Sequence, residues 1–521
     1  MSTIVIIGGG HNGLAAAYYL AKAGRKPIVL EARGTVGGGA ITGEIHPGFR
    51  CPTLTHHTCL HADILRDMGL ETHGVEFLAP HVEVFAPGHD DFPIVLSADL
   101  LRTREALRRR SPKDAEAFPA YRSTLARITA ALGGVLTQPP PDIDRPGTRD
   151  LWNLLKLGRG VRALGTRDAY RLLRWGPMPV ADLMSEWFET DLLRAALSAP
   201  ALSGTMCGPR SAGSGLVLLL RHAHEQLAGG ASRIRGGPGA LTDAMAAAAR
   251  AAGADIRTNA RVERILIANN QVAGVLVDGR ELPATVVMSA IDPKSTFLTL
   301  VTPTDLGPDF RSKIQHYRAA GTVAKVNLAL SALPAFRGAA SPEWLSGRIH
   351  IGPTMDDMER AFDRAKYGEV PADPWLDVTI PSILDPDLAP TGGHVMSVYA
   401  HYAPYRLRGA EWKATKQALL DAVLKTLDRF APGTSALVIA AQVLTPADLE
   451  TEYGFHGGHI FHGELALDQL FAARPLLGYA RYDSPVGGLY LCGAGTHPGG
   501  FLTGASGRLA ARAVLKAPAG T

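Results

Sequence analysis

The sequence predicts an α/β protein in which a discontinuous Rossmann-like dinucleotide-binding domain carries an inserted α+β domain and a helical cap. Three observations lead there. An apolar run, a glycine turn, a small-residue helix and a second apolar run open the chain between Ile4 and Leu30. A further strand, glycine turn and helix close it between Gly488 and Leu515. Between these ends, a Pro-rich linker, a long helix-rich stretch and several alternating strands interrupt the α/β pattern.

Taken in order, Ile4 to Ile7 reads as a buried strand, Leu14 to Ala23 as a helix and Pro27 to Leu30 as a second strand, a βαβ unit. Ser111-Pro112 reads as a helix N-cap and first turn. Pro139, Pro140, Pro141 and Pro146 mark a linker from Gln138 to Thr148, and helix-rich sequence continues to Gln226. Leu241 to Ala252 is an alanine-rich helix. A strand pair (Arg261 to Ala268, Gln271 to Val277), a turn at Asp278-Gly279 and a third strand (Thr285 to Ser289) follow. In Thr322 to Leu330, Val326, Leu328 and Leu330 fall on one strand face and Lys325 and Asn327 on the other. This predicts a dinucleotide domain in three parts (1–75, 231–300 and 481–521). A helix-rich substrate and cap region (76–230) and a second substrate region (301–480) fill the gaps.

At 521 residues the chain exceeds a single compact core. A net charge of +4 with dispersed Lys and Arg gives no nucleic-acid signature. Cys51, Cys59, Cys207 and Cys492 contain no C-x-x-C pair, so neither a disulfide framework nor a structural zinc site is expected, and Cys51 and Cys59 read as separate buried thiols. With no leader pattern and no run of 18 apolar residues, the expected location is cytoplasmic.

The chemistry begins at Gly8-Gly9-Gly10-His11-Asn12-Gly13, a G-x-G-x-x-G turn directly between strand and helix. Gly8 permits the tight turn, Gly10 lets backbone approach a pyrophosphate, and Gly13 lets helix and strand pack closely. The helix start supplies free N–H groups for phosphate. Glu31 ends the second strand, where a carboxylate can accept ribose hydroxyls. A second glycine cluster, Gly37-Gly38-Gly39, follows Ala32-Arg33, and Gly493-Ala494-Gly495 with Thr503-Gly504-Ala505 forms a third turn before the last helix.

These residues resemble the FAD-dependent oxidoreductases of the amine oxidase and phytoene desaturase superfamily. The likeness is strongest to the phytoene desaturase-like group that includes pyridine nucleotide-disulfide oxidoreductase domain-containing protein 2 and the CrtO-type carotenoid ketolases. GGGHNGL (8–14), EARGTVGGG (31–39), PSILDPDLAP (381–390), GGHIFHGE (457–464) and YLCGAGTHPGG (490–500) carry the resemblance. It implies a GR2-type FAD domain, with Gly8, Gly10, His11, Asn12, Gly13, Glu31, Ala32, Arg33, Gly37, Gly38, Val262, Gly493, Gly495, Thr503, Gly504 and Ala505 at the cofactor. Val262 would touch the adenine, and the helix start at Thr503-Gly504-Ala505 would face the flavin pyrimidine. Phe501 departs from the group's further glycine and would narrow the space near the flavin. Despite the name, a disulfide reductase is not expected, because no redox cysteine pair and no second dinucleotide fingerprint is present.

Lys325 resembles the lysine that amine oxidases hold near flavin N5, against the alternative of a solvated strand lysine. His456, His459 and His462 recur at spacing three, and without a completing acid or cysteine they read as site-lining hydrogen bonders, not as a metal set. Glu464 is placed to pair with one of them. His459 and His462 join Lys325 as the catalytic candidates. His56 and His57 read equally as flavin-facing or core residues, and His11 and His497 as structural or cofactor-facing. Leu151 to Gly176 holds Lys156, Arg159, Arg162, Arg167, Arg171 and Arg174 against the single acid Asp168, with Trp152, Tyr170 and Trp175. It reads equally as a solvated cap helix or as a peripheral contact with the inner membrane. The leading expectation is an FAD-dependent dehydrogenase or desaturase of a small apolar, polyene-like substrate, reoxidised by an external electron acceptor or oxygen. A flavin amine oxidase, and a flavin protein acting as a regulator or partner in respiratory metabolism, are the alternatives.

Overall fold

The structure, a computed structural model, describes residues 3–142, 146–230 and 233–517. Residues 143–145 of the Pro-rich linker lie outside the described residues. The α/β class and the use of both chain ends are observed. One parallel sheet has the strand order Leu489–Leu491, Val286–Ser289, Ile4–Ile7, Pro27–Leu30, Asp255–Arg257. Ile4–Ile7 lies at its centre with every residue buried, which is why it reads as an unbroken apolar run. Ile4 and Ile6 face a core shared with helices His11–Lys22, Gly237–Ala251 and Ala505–Lys516. Val5 and Ile7 face the other way, into a core shared with a small antiparallel sheet.

That small sheet corrects one expectation. The turn at Asp278-Gly279 leads not into Val286–Ser289 but into an extra strand, Arg280–Pro283, which pairs with Gln271–Val277. Arg280–Pro283 is four residues long, has an exposed polar start and ends in proline, so it carries no strand periodicity. Val262–Ala268 and Gln271–Val277 form the expected hairpin, closed by Asn269 and Asn270 at φ 50° and 59°.

The inserted region builds a seven-stranded sheet in the order Val438–Leu444, Val323–Leu330, His394–His401, Trp375–Thr379, Arg348–Ile351, Val84–Ala86, Ile94–Leu96. Val326, Leu328 and Leu330 face a core with helix Trp412–Phe430, as their alternation predicts. The opposite face is not solvated, since Lys325 and Asn327 are 2% and 0% exposed. Above it stands the helical region, including Pro112–Leu136 and Ser214–Leu227. Ser111 caps the first of these, its hydroxyl accepting from Asp114 N at 3.1 Å. Among the described residues no helix is long and apolar enough to cross a membrane.

Candidate active site

The two glycine clusters near the N-terminus meet. Gly37 N donates to Gly9 O at 2.9 Å, and a Cβ on Gly38 would stand 3.0 Å from Gly10 Cα. Gly13 is tighter still: a Cβ there would lie 2.1 Å from the Gly8 carbonyl oxygen, so only glycine lets this helix sit on its strand. Glu31 is buried, and its carboxylate accepts from Gly9 N (2.7 Å) and Arg33 N (3.0 Å). Arg33 returns a bond to Gly38 O at 2.8 Å, tying acid and second cluster together. From the far end of the chain, Gly507 seats the last helix, since its Cβ would fall 1.9 Å from Asn12 O.

A cavity of about 390 Å³ runs from these turns into the interface with the inserted sheet. Of the predicted site residues, Gly8, Gly10, His11, Asn12, Glu31, Ala32, Arg33, Gly38, Val262, Lys325, His459 and His462 line it. Gly13, Gly37, Gly493, Gly495, Thr503, Gly504 and Ala505 do not, although Ala494 and Leu502 from the same C-terminal segment do. Gly493 and Gly495 pack closely on their neighbours, their Cβ positions falling 2.5 Å from Ala290 O and 2.5 Å from Pro293 Cδ. Phe501 lines the cavity at φ 49°, packed against Phe461, so its bulk does narrow this chamber.

Lys325 is no solvated lysine. Its Nζ donates to Asn327 Oδ1 and Ser397 Oγ and lies 5.4 Å from the Tyr399 ring centre, and burial pulls its pKa down to about 8. Ser397 continues the network to His56 Nδ1 at 2.9 Å. His57, not His56, reaches the cavity, and its Nε2 lies 3.3 Å from Asp377 Oδ2. Burial alone would raise the Asp377 carboxyl, but His57, His56 and Arg348 hold it well below the usual carboxylate range. His56, His57 and Asp377 offer ligand atoms within 4.8 Å of one another, a cluster the spacing of His456, His459 and His462 did not foretell. Arg348 stands 4.0 Å from the same carboxylate and already neutralises it.

The histidine triplet divides. His459 is buried and His462 half-buried at the cavity, whereas His456 points to Glu450 at 3.5 Å. Burial pushes His459 down to about 3 and His462, His11 and His57 down to about 4, with the Asp377 carboxylate opposing the shift at His57, so His459, His462 and His11 line the cavity as neutral imidazoles. Glu464 pairs with none of them. It binds Arg318 at 2.6 Å and accepts from Met206 N, an ion pair with a residue too distant in sequence for spacing to reveal. His497 is structural, meeting Val135 O at 3.1 Å. All four cysteines are free thiols, and Cys51 and Cys59 are both buried. Sequence reasoning missed Arg221, Asp292, Tyr399 and His401, all of which line the cavity. Their signals are single residues in apolar strands, loops or helices whose partners come from other parts of the chain.

The profile of the flavin containing amine oxidoreductase family matches residues 13–515. Pyridine nucleotide-disulfide oxidoreductase domain-containing protein 2 of Rattus norvegicus is 36% identical, over 98% of this chain and 93% of its own. A lycopene-forming phytoene desaturase of Pseudescherichia vulneris is 28% identical, over 97% of this chain and 96% of its own. Among solved structures, an oxidoreductase from Methanosarcina mazei superposes with a TM-score of 0.64 at 17% identity, over 99% of this chain and 100% of its own, a likeness of fold. The match spans nearly the whole chain, glycine turns, buried acid and cavity included, and the chain belongs to the flavin containing amine oxidoreductase family.

Proposed function

We propose that this chain is an FAD-dependent dehydrogenase or desaturase of small apolar, polyene-like substrates. The observation that carries this reading is the continuity of one cavity from Glu31 and the glycine turns to a chamber walled by Leu54, Val323, Ile460, Phe461, Phe501 and Leu502. The turns and the buried acid fit a dinucleotide, with free backbone amides for pyrophosphate at Gly10 to Asn12 and a carboxylate for ribose. Bound FAD supplies the two-electron chemistry at a C–H bond, with an external acceptor or oxygen completing the turnover.

This chain's residues do the rest. The apolar walls bind the substrate and exclude water, and Phe501 restricts its thickness. Lys325, held by Ser397 and Asn327, keeps a proton at Nζ that can leave near neutral pH. The desaturase among the relatives acts on a polyene by name, which supports an apolar substrate. An amine substrate is less well served. An ammonium group would meet Lys325 and Arg221 on the chamber wall, like charges in a poorly solvated site. The intact phosphate turns favour redox activity over a role as a respiratory regulator or partner alone. We also assign this protein to the cytoplasm, peripheral on the inner membrane through 151–176, where apolar substrates partition.

Purified protein should be yellow and release FAD on denaturation; a colourless protein that cannot be loaded with FAD overturns the cofactor. Under anaerobic conditions phytoene or retinol should bleach the flavin absorbance, while putrescine should not. Bleaching by amines alone overturns the substrate class.

A further inference from the structure

The helix Ser214–Leu227 is almost wholly apolar through Leu216, Val217, Leu218, Leu219 and Leu220, yet Arg221 sits in the same buried stretch. A guanidinium there is costly unless its donors are satisfied. Glu225, one turn on, takes only Nε, at 2.8 Å, and shares its carboxylate with His222 at 3.1 Å. Among the described residues neither Nη nitrogen of Arg221 has an acceptor, although the side chain is only 7% exposed. Its Cζ lies 4.9 Å from the Phe501 ring centre, and both residues line the chamber. The acids that line the same cavity, Glu31, Asp292, Glu450 and Glu452, make no ion pair or hydrogen bond with Arg221 among the described residues. Asp377, beside His56, His57 and Arg348, attracts Arg221 only at a distance and makes no ion pair or hydrogen bond with it among the described residues.

We propose that Arg221 is the anchor for a carboxylate on the substrate, so that the chamber takes an apolar molecule ending in an acidic group. The inference rests on the chamber being the substrate pocket of a flavin oxidoreductase, and it narrows that reading from apolar to amphipathic. The two free Nη nitrogens present parallel donors at the spacing of a carboxylate's oxygens. Apolar walls beginning at Phe501 and Phe461 then cover the tail. A neutral hydrocarbon would leave these donors buried and unsatisfied, whereas a carboxylate completes them.

The test uses FAD-loaded protein titrated with octanoate and with octan-1-ol, read as flavin absorbance changes and by calorimetry. Octanoate should bind about tenfold tighter or better than the alcohol. Arg221→Met should abolish that preference, and Arg221→Lys should keep part of it. Equal affinities in the wild-type protein, or a preference surviving Arg221→Met, overturns the anchor. So does a variant that shifts the flavin midpoint potential while leaving octanoate preference intact, because Arg221 then serves the cofactor. A protein that binds no FAD fails at the underlying reading, whereas an FAD-loaded protein without octanoate preference fails only at Arg221.

Discussion

Lys325 is where side-chain chemistry and stability meet most directly. Burial lowers its pKa from 10.5 to about 8 with only hydroxyl and amide partners at Nζ. Between those values the unfolded chain holds a proton that the native one has released, so native stability rises with pH through that window. Below pH 8 both states are charged and the full burial penalty remains, on the order of 3 kcal/mol at about 1.4 kcal/mol per pH unit. Lys325→Met removes the penalty but leaves Ser397 and Asn327 without their partner, so 3 kcal/mol is a ceiling on its gain. We expect the variant's stability advantage in urea unfolding to be largest at pH 7 and to shrink as pH climbs from 8 to 10.5. A difference that stays flat across that range means that Lys325 does not titrate there. At this scale the glycines and Glu31 were legible, because their requirements are local: a turn, a close approach, a strand end. Lys325 was legible only in its face of the strand. What buries it, Ser397 and Tyr399, lies on a strand some seventy residues away. Arg221 and Asp377 gave no signal, because a lone charge in an apolar run acquires meaning only from partners the sequence does not place beside it.

Among the elements, the crossing of helices His11–Lys22 and Ala505–Lys516 joins the two chain ends beside the first glycine turn. Its closeness depends on Gly507, with no room for a Cβ beside Asn12 O at 1.9 Å. Gly507→Ala should therefore push the helices apart, lowering stability by about 2–3 kcal/mol or more and weakening FAD retention together with it. Thermal melts with and without added FAD check both effects, and an unchanged melting temperature would falsify the role given to this contact. Gly134→Ala is the counterpart, because Gly134 is exposed in helix Pro112–Leu136 and a Cβ there meets nothing within 4 Å. It should raise stability by about 0.5–1 kcal/mol. The first βαβ unit, the helix after Ser111, the Val262–Val277 hairpin, strand Val323–Leu330 and the last helix were legible from apolar periodicity, turns and caps, whereas helix Trp412–Phe430 and strand His394–His401 were not individually placed. Arg280–Pro283 was not, because a short edge strand takes its structure from the neighbour it pairs with rather than from its own pattern.

For the whole molecule, the split sheet was readable because each glycine turn announces itself locally, and only the βαβ logic was needed to join them. The surface of the helical region was readable as composition but not as geometry, and the structure sharpens it. Segment 151–176 becomes two helices, Thr148–Ala163 and Gly165–Trp175, broken where Gly165 adopts φ 74°. Its one acid, Asp168, is buried between Arg127 and Arg171, and Asp150 is buried against Arg481, so neither offsets the outer charge. Lys156, Arg159, Arg162 and Arg167 are exposed and form no ion pair among the described residues. Beside them Leu151, Trp152, Leu155, Tyr170 and Leu173 are each more than half exposed. Basic side chains flanking exposed apolar ones fit an anionic bilayer, the charges drawn to headgroups and the apolar groups set below them. We therefore expect the protein to sediment with phosphatidylserine-containing vesicles and not with pure phosphatidylcholine, and to be released by 1 M salt. Lys156→Glu with Arg159→Glu should weaken this at least about tenfold, at roughly 1 kcal/mol per basic residue lost, and Trp152→Ser with Leu155→Ser should weaken it without changing its salt dependence. Equal binding to both vesicle types, or to neither, makes the patch a solvated surface.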